Sequence, residues 1–527
     1  MRAQFHQLLS QRAASDGEAP AVTYRDDTVT YAQLWGQACA VADLLRALGV
    51  GRGDRVAVYL EKRVETVAAL FGASAAGAMF VPVNHVLKAR QVGHILRDSG
   101  ARVLVTSADR LAQLSAVLAD TVVSQVIVVD GRADVVGGPI AVHDWPSAPG
   151  PDGGPTAPSA MAGATARGID LDPAAILYTS GSTGLPKGVV LSHRNLIVGA
   201  ESVAEYLRNT SDDVILSVLP LSFDAGLSQV TTAFAVGAHC VLMNYLLPRD
   251  VVKLCARHGV TGLTCVPPLW QQLAHVEWPE ETARRLRYWA NTGGRMPRPL
   301  LDRLRSTFTS ADPYLMYGLT EAFRSTYLDP AEVDRRPASI GKAIPNAEIL
   351  VLRPDGTPCR PGEPGELVHR GALVALGYWN DPTRTAERFR PLVHPGQPWR
   401  APETAVWSGD TVVRDEDGFL SFVGRADDMI KTSGYRVSPT EVEEAAYATG
   451  LVRDVVALGV ADETLGQRIV LVVTAAGDGL EPAAVIAALR SLLPAYMLPA
   501  RVDIRPDLPR SPNGKFDRPL ITAEVSA

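Results

Sequence analysis

The sequence predicts an α/β fold: a large N-terminal domain on mostly parallel sheets with a small β subdomain, then a small, mobile α/β C-terminal domain. Three observations carry this expectation. Short Gly-punctuated apolar runs alternate with helical patterns of roughly ten to fifteen residues, as when strands are wound with crossover helices. A turn-rich stretch from Gly356 to Phe422 interrupts the alternation, and a compact α/β pattern begins again after Gly424. At 527 residues the chain also exceeds what one core accommodates, so two or more domains are expected.

Taken in order, Phe5, Leu8, Leu9 and Ala13 share one helical face, and Tyr31, Leu34, Leu44, Leu45 and Leu48 set a second helical pattern. Arg55–Leu60 after Gly53 and Arg102–Thr106 after Gly100 read as strands, with Val122–Val129 a further buried one. The most apolar stretch, Thr66–Val83, is interrupted by Gly72, Ser74 and Gly77 and reaches Pro82. It reads as a buried helix running into a strand rather than a membrane span. Between Ser147 and Gly168 the composition shifts to Pro, Gly, Ala and Ser, a flexible surface linker. Helix–strand alternation resumes from Ala174 to about Leu352. Asp355-Gly356, Pro361-Gly362, Pro364-Gly365 and Asp417-Gly418 then mark the turns of small antiparallel structure. In the tail, helices are expected near Pro439–Thr449 and Ala483–Leu493, and strands near Val455–Val460 and Ile469–Thr474. A hinge at Asp427 divides residues 1–426 from 427–527.

Hydrophobic residues at 46% and charged residues at 20% are ordinary for a globular chain. A net charge of -6 argues against non-specific binding to nucleic acid or to an anionic membrane. The five cysteines show no CxxC or Cys/His spacing, which fits a reducing compartment and no zinc site. No apolar segment follows a basic region between Met1 and Pro20, so a cytoplasmic location is expected.

The strongest chemical signal is Tyr178-Thr179-Ser180-Gly181-Ser182-Thr183-Gly184-Leu185-Pro186-Lys187-Gly188, directly after the strand-like Ala175–Leu177. Glycines let backbone N–H groups approach an anion, the hydroxyls add donors, and Lys187 supplies a compact positive charge for a polyphosphate. The spacing is not that of the GxxxxGK[ST] loop. Gly49-Val-Gly51-Arg-Gly53 is a turn and not a dinucleotide fingerprint.

This run resembles the phosphate loop of the adenylate-forming superfamily: acyl-CoA synthetases, adenylation domains of non-ribosomal peptide synthetases, and luciferases. Further segments resemble that superfamily's motifs in its order. They are Tyr317-Gly318-Leu319-Thr320-Glu321, Trp407-Ser408-Gly409-Asp410, the run from Gly424 to Arg436, and Pro509–Lys515 with its Asn513-Gly514-Lys515 end.

The resemblance implies ATP and Mg²⁺ as cofactors and a two-step reaction, acyl-adenylate formation followed by transfer to a thiol. Thr179–Lys187 would hold the β- and γ-phosphates, Glu321 would ligate Mg²⁺, and Thr320 would hydrogen-bond the α-phosphate. Tyr317 would stack on adenine near Gly293 and Gly294, with Gly318 beside it. Asp410 would accept from the ribose hydroxyls, helped by Arg425, and Lys515 would bridge the substrate carboxylate and the α-phosphate. The C-terminal domain would then rotate about Asp427, turning the segment with Lys431, Gly434 and Tyr435 toward the thiol tunnel. His193 is given no catalytic role.

The acid to be activated is read from Leu219–Gly226. Its Phe223-Asp224 resembles amino-acid adenylation domains, where the aspartate pairs with the substrate ammonium; acyl-CoA synthetases usually show a histidine there. A buried carboxylate needs a cation, and an internal pairing with Arg324 is the competing account. By position, Asp224, Ala225, Ser228, Leu269, Ala290, Thr292, Met316, Arg324 and Ser325 would line the pocket, which suits a small amino acid. The expected acceptor is the phosphopantetheine thiol of a discrete carrier protein, since the chain ends near Ala527 without a carrier segment. An acyl-CoA synthetase for a small or aromatic acid, with CoA as acceptor, is the alternative.

Overall fold

The computed structural model describes residues 2–131, 140–146, 168–179, 186–294, 296–392, 397–425, 429–477, 479–509 and 516–526, with backbone alone at 424 and 425. Ser180, Gly181, Ser182, Thr183, Gly184, Asp427, Lys515 and the Arg425 side chain lie outside the described residues, as does the expected linker up to Gly168.

Two large sheets organise most of the chain. In an eight-stranded sheet, Met79–Pro82, Arg55–Tyr59, Val103–Thr106, Gln125–Val128 and Ala141–Asp144 run parallel in neighbouring order. In a fourteen-stranded sheet, His239–Leu242, Val214–Ser217, Gly262–Cys265, Tyr288–Asn291 and Asp312–Tyr317 are likewise parallel. Helices Tyr31–Ala47, Val64–Ala75, His193–Tyr206 and Asp224–Val236 fill the layer between the sheets in one continuous core. That sandwiched layer explains why Val64–Ala75 is apolar all round: every one of its residues but Glu65 is buried. The stretch expected to be a buried helix entering a strand is this helix followed by Met79–Pro82. Among the described residues, no helix is long and apolar enough to cross a membrane.

The turn-rich region forms antiparallel strands Ala347–Leu352, Pro364–Gly371, Glu403–Arg414 and Leu420–Arg425, which continue the fourteen-stranded sheet through Ser339–Ala343. A separate five-stranded sheet is built after residue 429, from Ile430–Thr432, Tyr435–Val437, Val452–Asp462, Gly466–Ala475 and Arg501–Ile504. Its two faces bury distinct clusters, one with helices Pro439–Ala448 and Pro482–Leu489, the other with Phe516, Ile521 and Val525.

Three local expectations are corrected. Val122 is 58% exposed and its strand begins only at Gln125. The hairpin Pro20–Tyr24 and Asp27–Thr30, which extends the large sheet beside His239–Leu242, was not foreseen. The helix expected to Leu493 ends at Leu489, ahead of Pro494, whose ring disfavours helix in the residue before it.

Candidate active site

A cavity of about 500 Å³ lies at the carboxyl ends of the parallel strands, the usual place for ligands in open α/β sheets. The turns that follow four neighbouring strands supply its walls. Phe223, Asp224 and Ala225 follow Val214–Ser217, and Leu269 follows Gly262–Cys265. Thr292, Gly293 and Gly294 follow Tyr288–Asn291, and Gly318, Thr320 and Glu321 follow Asp312–Tyr317. Gly226 allows the first of these turns, because a Cβ there would stand 1.9 Å from the Pro220 carbonyl oxygen.

The phosphate-loop sequence spans an antiparallel hairpin. Strands Pro173–Thr179 and Lys187–Ser192 pair so that Thr179 faces Lys187, which fixes both ends of the run between them. Thr179 Oγ1 is buried without a hydrogen-bond partner among the described residues. A capping box of Ser192 with Asn195 starts the following helix, where His193 Nδ1 accepts from the Phe5 N–H at 3.1 Å, a packing role. Lys187 Nζ donates to Glu321 at 3.0 Å and to the Tyr378 hydroxyl at 2.7 Å, and that hydroxyl donates to the same Glu321 oxygen at 2.7 Å. Burial alone would raise the Glu321 pKa. Lys187, Tyr378 and Arg436 outweigh it and hold the carboxyl well below the usual range. Glu321 is therefore held as an ionised carboxylate in a buried part of the cavity wall. The Thr320–Ala322 turn that presents it is followed by Phe323 at φ 57°, a left-handed backbone held by complete burial. A side chain at Gly199 would overlap the Phe323 ring, so only glycine leaves it room.

Next to this corner, the Tyr317 hydroxyl donates to Asp410, which is 1% exposed. The Ser408 hydroxyl accepts from the Asp410 N–H at 3.1 Å, and Gly409 at φ 72° turns the strand there. Asp410 stands opposite Arg425 in the strand register. Gly293, Gly294, Tyr317 and Asp410 all line the cavity.

Elsewhere on the cavity wall, Arg324 Nη1 donates to Asp224 at 2.8 Å and the Thr320 hydroxyl donates to the other Asp224 oxygen at 3.2 Å. Burial raises the Asp224 pKa, while Arg324 and Thr320 pull it back. The internal partner is therefore present in the fold. Arg324 Nε is buried without a hydrogen-bond partner among the described residues. Met316, Ala225 and Arg324 also bound a tiny deeper cavity with Ser228, which bonds Thr232 at 3.4 Å. Three positions expected to line the pocket do not, Ser228 among them, which borders only the smaller cavity. Ala290 is wholly in the core, and Ser325, also fully buried, contacts His369 Nδ1 at 3.0 Å.

Sequence reasoning missed two neighbours of this site. Tyr378 carried no local motif signal. Lys62, 4% exposed, donates from Nζ to the Ser217 and Leu219 carbonyls at 2.8 and 2.9 Å, and burial pulls its pKa down to about 7. It ties the turn leading to Asp224 to the first sheet, and its place between Glu61 and Arg63 reads in the sequence as a solvated charged turn.

The remaining wall comes from the C-terminal segment: Lys431, Gly434, Tyr435, Arg436, Glu441 and Tyr496. Gly434 at φ 81° lies so close to Val266 that a Cβ would be 2.7 Å from its Cγ2. Tyr435 stacks on Tyr496 at 3.7 Å and meets Phe223 edge-on at 5.5 Å. Lys431 lies over the Phe422 ring at 5.2 Å. Phe516, the first described residue after the terminal lysine motif, packs on the opposite face of the small sheet from the cluster that holds Tyr435.

Comparison with known proteins agrees with this geometry. Residues 9–379 match the AMP-binding enzyme family and residues 441–515 the AMP-binding enzyme C-terminal domain. The chain is 31% identical to feruloyl-CoA synthase of Amycolatopsis sp over 96% of both chains. It is also 31% identical to one of the linear gramicidin synthase proteins of Brevibacillus parabrevis, matching with 98% of its own length but spanning only 6% of that much longer protein. Among solved structures, a double mutant of o-succinylbenzoate CoA synthetase from Bacillus subtilis superposes with a TM-score of 0.79 at 26% identity, over 98% of each chain. Both halves of the chain and its central cavity therefore lead to one assignment: it belongs to the AMP-binding enzyme family and is an ATP-dependent, AMP-forming acid–thiol ligase.

Proposed function

We propose that the chain adenylates a carboxylic acid without an ammonium group and passes the acyl group to a phosphopantetheine thiol, on CoA or on a carrier protein. The observation that carries this reading is the Arg324–Asp224 pair. The carboxylate suited to an ammonium already has a buried cation, so a second one gains little there.

In the first step the acid's carboxylate oxygen attacks the α-phosphorus of ATP and pyrophosphate leaves. Both partners are anions, so charge neutralisation and alignment dominate the task. In our reading Thr179, Lys187 and the residues between them hold the β- and γ-phosphates, and Thr320 donates to the α-phosphate. Tyr317 and Asp410 hold the nucleoside with Gly293 and Gly294, and Arg425 and Lys515 act as the resemblance implies. The donor set suits Mg²⁺. Glu321 is an ionised carboxylate on the cavity wall. That fits an ion which takes one or two carboxylates plus phosphate oxygens and water. When bound, it would neutralise phosphate charge.

In the second step the thiol sulfur attacks the acyl carbon, AMP leaves with the bonding electrons, and the thiol proton is released. Gly434 and Tyr435, close against Val266 and Phe223, favour the cavity's C-terminal side as the thiol's approach. This reading takes 1–426 and 427–527 as the two working domains, with the hinge at Asp427.

A second reading, a small amino acid loaded onto a discrete carrier protein, is favoured by Phe223-Asp224 and by the likeness to gramicidin synthase. The substrate ammonium would then take the place of Arg324 at Asp224. Acid-dependent ATP–pyrophosphate exchange over plain acids and α- and β-amino acids separates the two. Exchange confined to amino acids would replace the first reading by the second. Thioester formation on CoA and on phosphopantetheinylated carriers then identifies the acceptor.

A further inference from the structure

Among the charged groups on the C-terminal wall of the cavity, Glu441 has no part in either step above. Glu441 stands in the first turn of the helix Pro439–Ala448, is 5% exposed, and lines the cavity with Tyr435 and Tyr496. Its segment, Ser438-Pro-Thr-Glu441, has the spacing of a capping box, in which the helix-starting serine and the glutamate three residues on satisfy each other's backbone N–H. Only half of that box forms. The Ser438 hydroxyl accepts from the Glu441 N–H at 3.4 Å, and the Glu441 carboxylate does not return to the Ser438 N–H.

The carboxylate instead lies at the interface with the helix Ala89–Ser99, where Oε2 is buried without a hydrogen-bond partner among the described residues. Arg90 is already paired, with Glu444 at 3.3 Å, and the Gln91 amide nitrogen donates to the Leu492 carbonyl at 3.2 Å. Burial pushes the Glu441 pKa up to about 7. A hydrogen bond from the Gln91 side chain and the charge of Arg90 pull it down, and Glu444 pushes it up. A cavity-lining residue that keeps one buried carboxylate oxygen without a partner among the described residues fits a ligand that brings the missing donor. Polar residues around the acyl end could serve the acid, but Glu441 belongs to the wall that Tyr435 and Gly434 build.

A phosphopantetheine arm presents two amide N–H donors behind its thiol. We infer that Glu441 is a specificity-determining residue for the acceptor, its carboxylate accepting a hydrogen bond from an amide N–H of the thiol-bearing arm. The inference rests on the thiol-transfer reading. It assigns Glu441 no part in adenylation and no covalent step.

The test uses the full chain as wild type, Glu441→Leu and Glu441→Gln, with melting curves to establish folding. Acid-dependent ATP–pyrophosphate exchange reads the first step. Thioester formation is followed against CoA concentration and, separately, against 2-mercaptoethanol, which has a thiol but no amide. Glu441→Leu should raise the KM for CoA about tenfold, equivalent to about 1.4 kcal/mol, with kcat nearly unchanged. Glu441→Gln, which keeps a carbonyl acceptor, should recover most of that loss. Exchange and the mercaptoethanol rate should stay at wild-type levels in both variants. Equal losses with CoA and mercaptoethanol, a fall in kcat alone, or a parallel fall in exchange would each overturn the assignment. A wild-type protein that exchanges pyrophosphate but forms no thioester with CoA, with 2-mercaptoethanol or with a phosphopantetheinylated carrier would instead sink the thiol-transfer reading beneath it.

Discussion

Replacing Arg324 by methionine isolates the pair on which the substrate reading depends. The Arg324 side chain is 3% exposed and that of Asp224 14%, with 2.8 Å between their charged atoms. Removing the cation leaves Asp224 buried with the Thr320 hydroxyl at 3.2 Å as its remaining side-chain donor. Breaking a buried pair from one side costs about 3–5 kcal/mol. Thr320 and the partial exposure of Asp224 place this case near the lower end, about 3 kcal/mol. The double variant Arg324→Met, Asp224→Asn removes the stranded charge and should return to within about 1 kcal/mol of wild type. The pH dependence has a definite sign. Burial raises the Asp224 pKa even with Arg324 present, and without it the pKa rises further. A raised folded-state pKa means that the folded protein holds the proton more tightly. Stability is then greatest below the ordinary aspartate range and is lost as pH rises through the folded value. Urea unfolding at acid and neutral pH, followed by tryptophan fluorescence, measures both effects. A single variant as stable as wild type at neutral pH would refute the reasoning. Pyrophosphate exchange on the same variant should show no gain in amino-acid use; a gain would favour the second reading.

Three further outcomes are expected. Lys187→Met should lower adenylation by about 10²–10³-fold, as for loss of one charge-stabilising donor. It should also shift acid unfolding to higher pH, because stability from the depressed Glu321 pKa, present above the usual carboxylate range, would be lost earlier as pH falls; pyrophosphate exchange and an acid titration read these. Gly226→Ala forces a Cβ to within 1.9 Å of a backbone oxygen and should destabilise by about 1–3 kcal/mol; an unchanged melting temperature would mean the Pro220 turn yields freely. Lys62 has its pKa lowered to about 7, so wild-type stability gains from this group as pH rises above that value, by at most about 1.4 kcal/mol per unit. Lys62→Met should lack that slope, and identical pH profiles would show that Lys62 does not titrate in the fold.

The parts of the site legible in the sequence are those whose residues lie together in the chain. The hairpin around Thr179 and Lys187, the Tyr317–Glu321 turn and the Trp407–Asp410 strand each announce themselves locally. Tyr378 does not, because it reaches Glu321 only through the sheet that brings Gly377–Tyr378 beside Lys187–Ser192. The pocket positions fail in an instructive way. Arg324 and Ser325 are adjacent, but the first turns to Asp224 and the second to His369, a divergence set in the turn between the Thr320–Ala322 helix and the strand from Thr326. The mostly parallel architecture followed from periodicity. The Pro20–Thr30 hairpin was hidden because neither short strand alternates in polarity clearly enough to stand out from a loop.

The cavity's walls have two origins in the chain. Side chains against the Asp224–Arg324 pair come from segments before Ser325, whereas Gly434, Tyr435, Glu441 and Tyr496 all come from beyond residue 429. On the two proposals above, choice of acid and choice of acceptor are written in separate stretches of the chain, so that an exchange downstream of that point alters one preference and leaves the other. The contacts Phe223–Tyr435 and Val266–Gly434 are the seam at which such exchanges must remain compatible.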